Sequence, residues 1–224
     1  MKWLYKLDYK YGRHYIRNLM RIIVVGMAMV YIAGYVMPEY NLASYLSLNR
    51  SAILSGQVWR LITFIFVPEQ TSPIWIFISL YFYYFIGTSL ESVWGGFRFN
   101  LYYLAGILGS ILACFISPAG YADNTYLNLS LFLAYATLAP DATFQLFFLI
   151  SVKAKWLAIF YVVFAGLTIA VSFRSGLFFG LSALVTFGFS LLGYLLFFGP
   201  TLLGIIKEQI RIAKNRRNWR NNSR

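Results

Sequence analysis

The sequence predicts an all-α polytopic membrane protein, a bundle of six transmembrane helices with a long, partly membrane-embedded first loop. Three observations carry that prediction. Of 224 residues, 60% are hydrophobic and only 12% charged, with a mean hydropathy of +0.65. Several apolar runs outlast a buried core helix and approach the roughly 20 residues that cross a hydrocarbon core. The net charge of +12 is gathered in the two tails and the short loops, which is the pattern of membrane orientation and not of nucleic-acid binding.

Residues 1–20 form a basic amphipathic segment. Lys2, Lys6, Lys10, Arg13 and Arg17 recur at three and four, beside a second stripe of Trp3, Leu7, Tyr11 and Tyr15. That spacing predicts a helix lying on an anionic leaflet. No cleavable signal is expected, because the first apolar run follows this basic segment and lacks a small-residue cleavage site.

The membrane domain, residues 21–200, divides into spans at roughly 22–37, 73–92, 97–118, 125–139, 156–173 and 176–198. The six prolines punctuate this division: Pro38, Pro118, Pro140 and Pro200 fall where spans end, and Pro68 and Pro73 precede the second. With both termini cytoplasmic, only Arg50, Arg60 and Arg174 of the nineteen Lys and Arg lie on the outer side. The outer loop 38–72 is half apolar and is expected to dip into the interface. Ala105, Gly109 and Ala113, then Gly166 and Ala170, then Gly176 and Gly180 place small residues at four-residue spacing, which allows helices to approach closely. No internal repeat is present.

Residues 201–224 read as a basic amphipathic tail. Leu203, Ile206 and Ile210 line one side and Lys207, Arg211 and Lys214 the other, a lipid-binding arrangement. No cofactor and no metal site are expected. The single thiol, Cys114, excludes an internal disulfide, a zinc–thiolate site and an iron–sulfur cluster.

The segment from Gly56 to Phe99 carries the strongest local signal. Gly56-Gln57-Val58-Trp59-Arg60-Leu61-Ile62-Thr63 precedes an aromatic span (Trp75, Phe77, Tyr81, Phe82, Tyr83, Tyr84, Phe85), which closes on Leu90-Glu91 and Gly96-Phe97-Arg98. These blocks resemble the rhomboid superfamily and are most similar to its Derlin branch, in which a Trp-Arg pair in the first loop is a hallmark. Phe147-Phe148 and Val152-Lys153-Ala154-Lys155-Trp156 also look like the Derlin pattern before the fifth span. The resemblance implies six spans and a first loop packed against its neighbours. In it Trp59 holds the loop in the outer leaflet, and Arg60 bonds loop carbonyls or lipid phosphates.

Active rhomboids use a serine of the fourth span and a histidine of the sixth. The family's Gly-x-Ser-Gly stands here as Asn128-Leu129-Ser130-Leu131, so Ser130 is the weak candidate for a nucleophile. A serine hydroxyl needs a base within hydrogen-bond reach. The sixth span contains no histidine; the only one in the chain is His14, in the N-terminal segment. No span contains a lysine, and the second span lacks a His or Asn to bind an oxyanion. The expectation is therefore no enzyme. Glu91 and Arg98, at the inner boundary, are read as structural polar contacts through an ion pair or a loop-capping bond.

The resemblance then implies a non-catalytic protein that binds transmembrane segments of client proteins laterally, in membrane-protein quality control or degradation. Trp75, Tyr81 and Tyr84 of the second span and Trp156, Phe160 and Phe164 of the fifth would face the client. Partners are the lipid bilayer and those segments. The C-terminal tail lacks the Gly-rich Phe motif that Derlins use to recruit an unfolding ATPase, and the short tails point to a bacterial cytoplasmic membrane rather than the endoplasmic reticulum. Two alternatives remain, an intramembrane serine protease using Ser130 and a small-solute transporter or channel.

Overall fold

The computed structural model describes residues 2–69, 72–146, 150–199 and 211. Helices dominate, and each of the six apolar segments is helical. They are α2 (Leu19–Val36), α6 (Pro73–Trp94), α7 (Gly96–Ile116), α8 (Thr125–Leu138), α9 (Ala154–Ser175) and α10 (Leu177–Ser190) continued by α11 (Leu192–Gly199). The preceding short helices are α1 (Lys2–Tyr11) and, in the first loop, α3 (Leu42–Leu46), α4 (Arg50–Leu54) and α5 (Arg60–Thr63). Four helices, α2, α6, α7 and α9, are long and apolar enough to cross a membrane, and α10 with α11 makes a fifth if their 47° bend lies within one span. This is an all-α polytopic architecture. Pro73 opens α6, where its missing donor costs nothing. Gly95, at φ 81°, turns the chain directly from α6 into α7, a conformation that a side chain would strain.

Two small antiparallel pairs depart from the purely helical expectation. Leu48–Asn49 (β1) pairs with Tyr121–Ala122 (β2), tying the first loop to the α7–α8 connection. Thr143–Leu146 (β3) pairs with Ile150–Lys153 (β4) between α8 and α9. Phe147, Phe148 and Leu149, part of the pattern singled out before the fifth span, lie outside the described residues.

The amphipathic N-terminal helix is shorter than the charge spacing suggests. It stops at Tyr11, Gly12 follows, and Asn18 sits at φ 53° before α2 begins. Arg13 and Arg17 are therefore off the helix, while Lys6 and Lys10 are exposed on it. Helix α1 packs on α7 and is not free of the bundle. In the C-terminal tail Arg211 is exposed; Lys207 and Lys214 lie outside the described residues.

The small-residue stripes divide. In α7, Gly109 is backed directly onto the Phe189 carbonyl of α10, so a Cβ has no room, and Ala113 is fully buried. In α9, a Cβ at Gly166 would meet nothing, and Ala170 is exposed. The face of α9 that does pack is Ala154, Ala158 and Ala165. The spacing of Gly166 and Ala170 thus marks no close helix contact here.

Helix α8 positions the site. Its 14 residues span about 21 Å, well short of the roughly 30 Å hydrocarbon core. It is buried on almost every side, from Leu127 through Leu131 and on to Ala136. Leu127 lies against Gly106, the midpoint of α7, and Tyr126 meets Phe187, near the middle of the α10–α11 pair, edge-on at 5.4 Å. At its other end Thr137 shares a 3.0 Å bond with Tyr194, and the chain turns into α9 where the Ala154 amide donates to the Ala142 carbonyl. So α8 fills only the half of the bundle nearest the α6–α7 turn. The half nearest the first loop is left as a recess, into which the loop folds.

Candidate functional site

The first loop is built on polar side chains that close the ends of its own short helices. Helix α3 ends with unsatisfied carbonyls, as every helix does. Arg60, only 7% exposed, donates through Nη1 to the Ser44 and Ser47 carbonyls at 2.7 and 2.8 Å. Its Nε donates to Gln57 Oε1 at 2.8 Å, and the guanidinium lies 5.5 Å from the Tyr45 ring centroid. Thr63, one turn on, donates to the Leu46 carbonyl at 3.1 Å. Gln57, Arg60 and Thr63 recur at intervals of three, so one face of the segment grips α3. A cation at a helix C-terminus is also favoured by the helix dipole. Trp59 stays 44% exposed and stacks on Tyr45 at 6.5 Å. Arg50 repeats the device, donating to the Phe115 and Ser117 carbonyls at the end of α7.

Below this knot the loop descends over the start of α8. Phe64 and Ile65 are buried, and Asn124, 2% exposed, donates through Nδ2 to the Ile65 and Val67 carbonyls. Four residues later, on the same face of α8, Asn128 donates through Nδ2 to Glu69 Oε1 at 2.7 Å. Glu69 also sits within reach of the Tyr83 hydroxyl, and its charge is felt at Tyr103 and Tyr161. Since Tyr83 is halfway along α6 and Tyr161 is well inside α9, the loop delivers a carboxylate to the middle of the bundle. Burial raises the Glu69 carboxyl above its ordinary value; the bonds from Asn128 and Tyr83 oppose that rise, and Asp123 adds to it. Two open cavities flank the loop. One, of about 570 Å³, includes Ser44, Asn49, Gln57, Arg60 and Tyr121 in its wall. The other, of about 400 Å³, includes Val67, Pro68, Glu69, Asp123, Asn124 and Thr125.

Ser130 does not reach either cavity. It is 1% exposed, and its hydroxyl donates 2.7 Å back to the Leu127 carbonyl, while its own carbonyl accepts from Tyr102. Among the described residues no Lys, Arg or His side chain bonds to it.

Glu91 and Arg98 both make structural polar contacts, Arg98 through an ion pair and Glu91 through a bond to a backbone amide of the N-terminal segment. Arg98 holds Asp8 of α1 through Nε and Nη2, both at 2.8 Å, and Glu91 accepts from the Asn18 amide at 3.1 Å. Both residues therefore fasten the N-terminal segment to the bundle, one under α1 and one at the left-handed Asn18. Asp8, far away along the chain, reaches Arg98 because α1 folds back onto α7.

Of the six residues expected to line a lateral opening, five are exposed. Trp75 and Tyr81 on α6 and Trp156, Phe160 and Phe164 on α9 are between 50% and 70% exposed. Tyr84 is not among them: it is half-buried and accepts from Arg21 of α2 at 3.4 Å, on another side of α6. Helices α6 and α9 both pack on α8 and touch one another little. Phe144 of β3 fills the space between Phe82 and Phe85 of α6 and Phe132 and Tyr135 of α8, with ring centroids 5.2–6.2 Å apart.

Glu69 and the Asn124–Asn128 pair escaped the sequence reading. Two asparagines four apart at the start of an apolar helix share one face, and an acid two residues after the largely apolar run Leu61–Val67 is drawn inward with that run. Those were the available signals.

No protein-family model matches the chain, and no curated protein matches it.

Proposed function

We infer that this is a catalytically inactive, rhomboid-like protein that receives transmembrane segments of other membrane proteins sideways, between α6 and α9, in membrane-protein quality control or degradation. The observation that carries the reading is the setting of α8. It is short and central, with α6 and α9 leaning on it separately and presenting open aromatic faces (Tyr81; Trp156, Phe160, Phe164) to lipid. An apolar helix can slide along such faces without displacing water, and the recess over α8 offers polar partners to whatever it carries at half depth. In this reading α8 and the bent pair α10–α11 are the fourth and sixth spans, and both termini are in the cytoplasm of a bacterial cell.

Two further features support it. The internal grip of Arg60 gives the Trp59-Arg60 pair a structural reason to stand together, with Trp59 left to meet the interface. The Ser130 hydroxyl is bonded to its own helix, and among the described residues no Lys, Arg or His side chain bonds to it, which favours reception over hydrolysis. Binding is then non-covalent and reversible, since mismatch effects amount to only fractions of a kcal/mol per Å.

The test is photo-crosslinking in native membrane vesicles with probes replacing Tyr81 and Phe160. Capture of polypeptide at both positions is expected, with little from a probe at Tyr84. Probes at Tyr81 and Phe160 that yield lipid adducts alone would refute client reception.

A further inference from the structure

The cavity of about 570 Å³ in the first loop has the size of a small-ligand site. Its wall holds one cation, Arg60, and no acid, and every lining residue but Ala52 carries a polar side-chain group. Arg60 is 7% exposed, and none of the described ion pairs includes it. Its Nε and Nη1 are spent on Gln57 and on the Ser44 and Ser47 carbonyls. Nη2 donates to no described residue, yet it is not among the polar atoms sealed inside the protein. The same is true of two amide nitrogens in the wall, Gln57 Nε2 and Asn49 Nδ2. Their oxygens are fixed: Gln57 Oε1 accepts from Arg60, and Asn49 Oδ1 accepts from the Ser51 hydroxyl and the Ala52 amide at 2.7 and 3.2 Å. A guanidinium withdrawn from water without a counter-charge is costly, so the wall has unused N–H donors and lacks an anion. The serines have the opposite need. Ser47, Ser51 and Ser55 donate their protons to the Ser44 carbonyl, Asn49 Oδ1 and the Ala52 carbonyl, which leaves their oxygens as acceptors.

We propose that this cavity binds a phosphoglycerol group, a phosphodiester with free hydroxyls, carried either by a phosphatidylglycerol headgroup or by its soluble deacylated form. Arg60 Nη2, Gln57 Nε2 and Asn49 Nδ2 donate to the phosphate oxygens, a charge-assisted arrangement suited to a guanidinium, while Nε and Nη1 keep their internal partners. The serine oxygens accept from the glycerol hydroxyls. One ligand thus answers both halves of the wall, which neither a bare anion nor a neutral sugar does. The abutting cavity shares Ser44, Ser47 and Tyr121 and has Glu69 and Asp123 in its own wall. Their charge disfavours a dianion and selects a singly charged diester. Leu54, Val58 and Ile62, beside the wall residues along the chain, are exposed apolar side chains on which acyl chains can rest, and they favour the lipid as the source. The site goes beyond client reception and does not depend on it.

The experiment titrates the full chain, purified in a neutral maltoside detergent and phosphate-free buffer, by isothermal calorimetry. The probes are short-chain phosphatidylglycerol, short-chain phosphatidylcholine, glycerophosphoglycerol and inorganic phosphate. Phosphatidylglycerol should bind about tenfold more tightly than phosphatidylcholine, which has the same phosphodiester but no headgroup hydroxyl, and more tightly than inorganic phosphate by at least as much. Gln57→Glu keeps an acceptor for Arg60 Nε, removes one NH2 group from the wall and supplies a counter-charge. It should melt at or above the wild-type temperature and bind phosphatidylglycerol about tenfold more weakly or worse. Glycerophosphoglycerol binding as tightly as the lipid assigns the site to a soluble ligand, and weaker binding assigns it to the membrane lipid; both support the phosphoglycerol site. Equal affinity of the wild type for phosphatidylglycerol and phosphatidylcholine, no binding of either phosphoglycerol probe, or a folded Gln57→Glu protein that binds as the wild type does, overturns it.

Discussion

Replacing Arg60 by leucine tests whether the guanidinium is an internal fastener or a lipid contact. In the structure it spans two carbonyls at the end of α3 and one glutamine side chain, all at 2.7–2.8 Å. A hydrogen bond to a charged group contributes about 1.5–3 kcal/mol, and the two carbonyl bonds set the range at about 3–6 kcal/mol. The Ser44 carbonyl keeps a second donor, the Ser47 hydroxyl at 3.0 Å, and Ser47, which carries the other carbonyl, is in the wall of the adjoining cavity of about 570 Å³. Both facts place the expected loss near the lower bound, about 3 kcal/mol. For a chain of this size that is a fall in Tm of about 6–12 °C, read by thermal unfolding of the purified protein in detergent micelles. Lysine, a point charge without the fork, should recover only part of the loss. Trp59→Ala removes a half-exposed ring stacked at 6.5 Å and should cost about 1 kcal/mol or less, while weakening the loop's hold on the interface. An Arg60→Leu protein that melts within about 2 °C of the wild type would refute the internal role.

Other substitutions probe the packing and the site. Gly109→Val drives a side chain into the Phe189 carbonyl and should destabilise by about 1–3 kcal/mol or more. Gly166→Ala, with nothing near its new methyl, should leave Tm unchanged or raise it slightly; thermal melts of the two separate a real helix contact from a mere sequence spacing. Ser130 should take up no fluorophosphonate label above the level of Ser130→Ala, and labelling that the alanine variant loses would revive the protease reading. The raised Glu69 carboxyl has a signed consequence for stability. Between 4.5 and its higher folded value the native state binds more protons than the unfolded chain, so this contribution is full at low pH and is lost as pH rises through that window. Asp123, Tyr83, Tyr161 and Asn128 face the group from the elements around it. Relative to Glu69→Gln, the wild type should therefore lose Tm as pH climbs above 4.5 and then level off; a gain over that interval would contradict the buried placement.

The helices were legible because punctuation and hydropathy agree. Pro73 begins α6, and Gly95 and Gly176 break the chain between adjacent helices, so the segment ends fall within a few residues of those read from sequence. The first loop was less legible. Helices α3, α4 and α5 have four or five residues each, too short to form without tertiary partners. Their existence depends on Arg60 and Thr63 finding carbonyls more than a dozen residues away, which no local pattern announces. The same holds for the bond of Arg98 to Asp8, 90 residues apart, which forms because α1 folds back. Glu69 was missed for a related reason. A span-by-span search for buried charge passes over a loop residue, although the loop carries it to the level of Tyr83.

The shortness of α8 shapes the interior of the bundle. Its 14 residues leave a depth that an unbroken apolar helix would have filled, and the amides of Asn124 and Asn128 use that depth to hold the descending loop by its carbonyls and by Glu69.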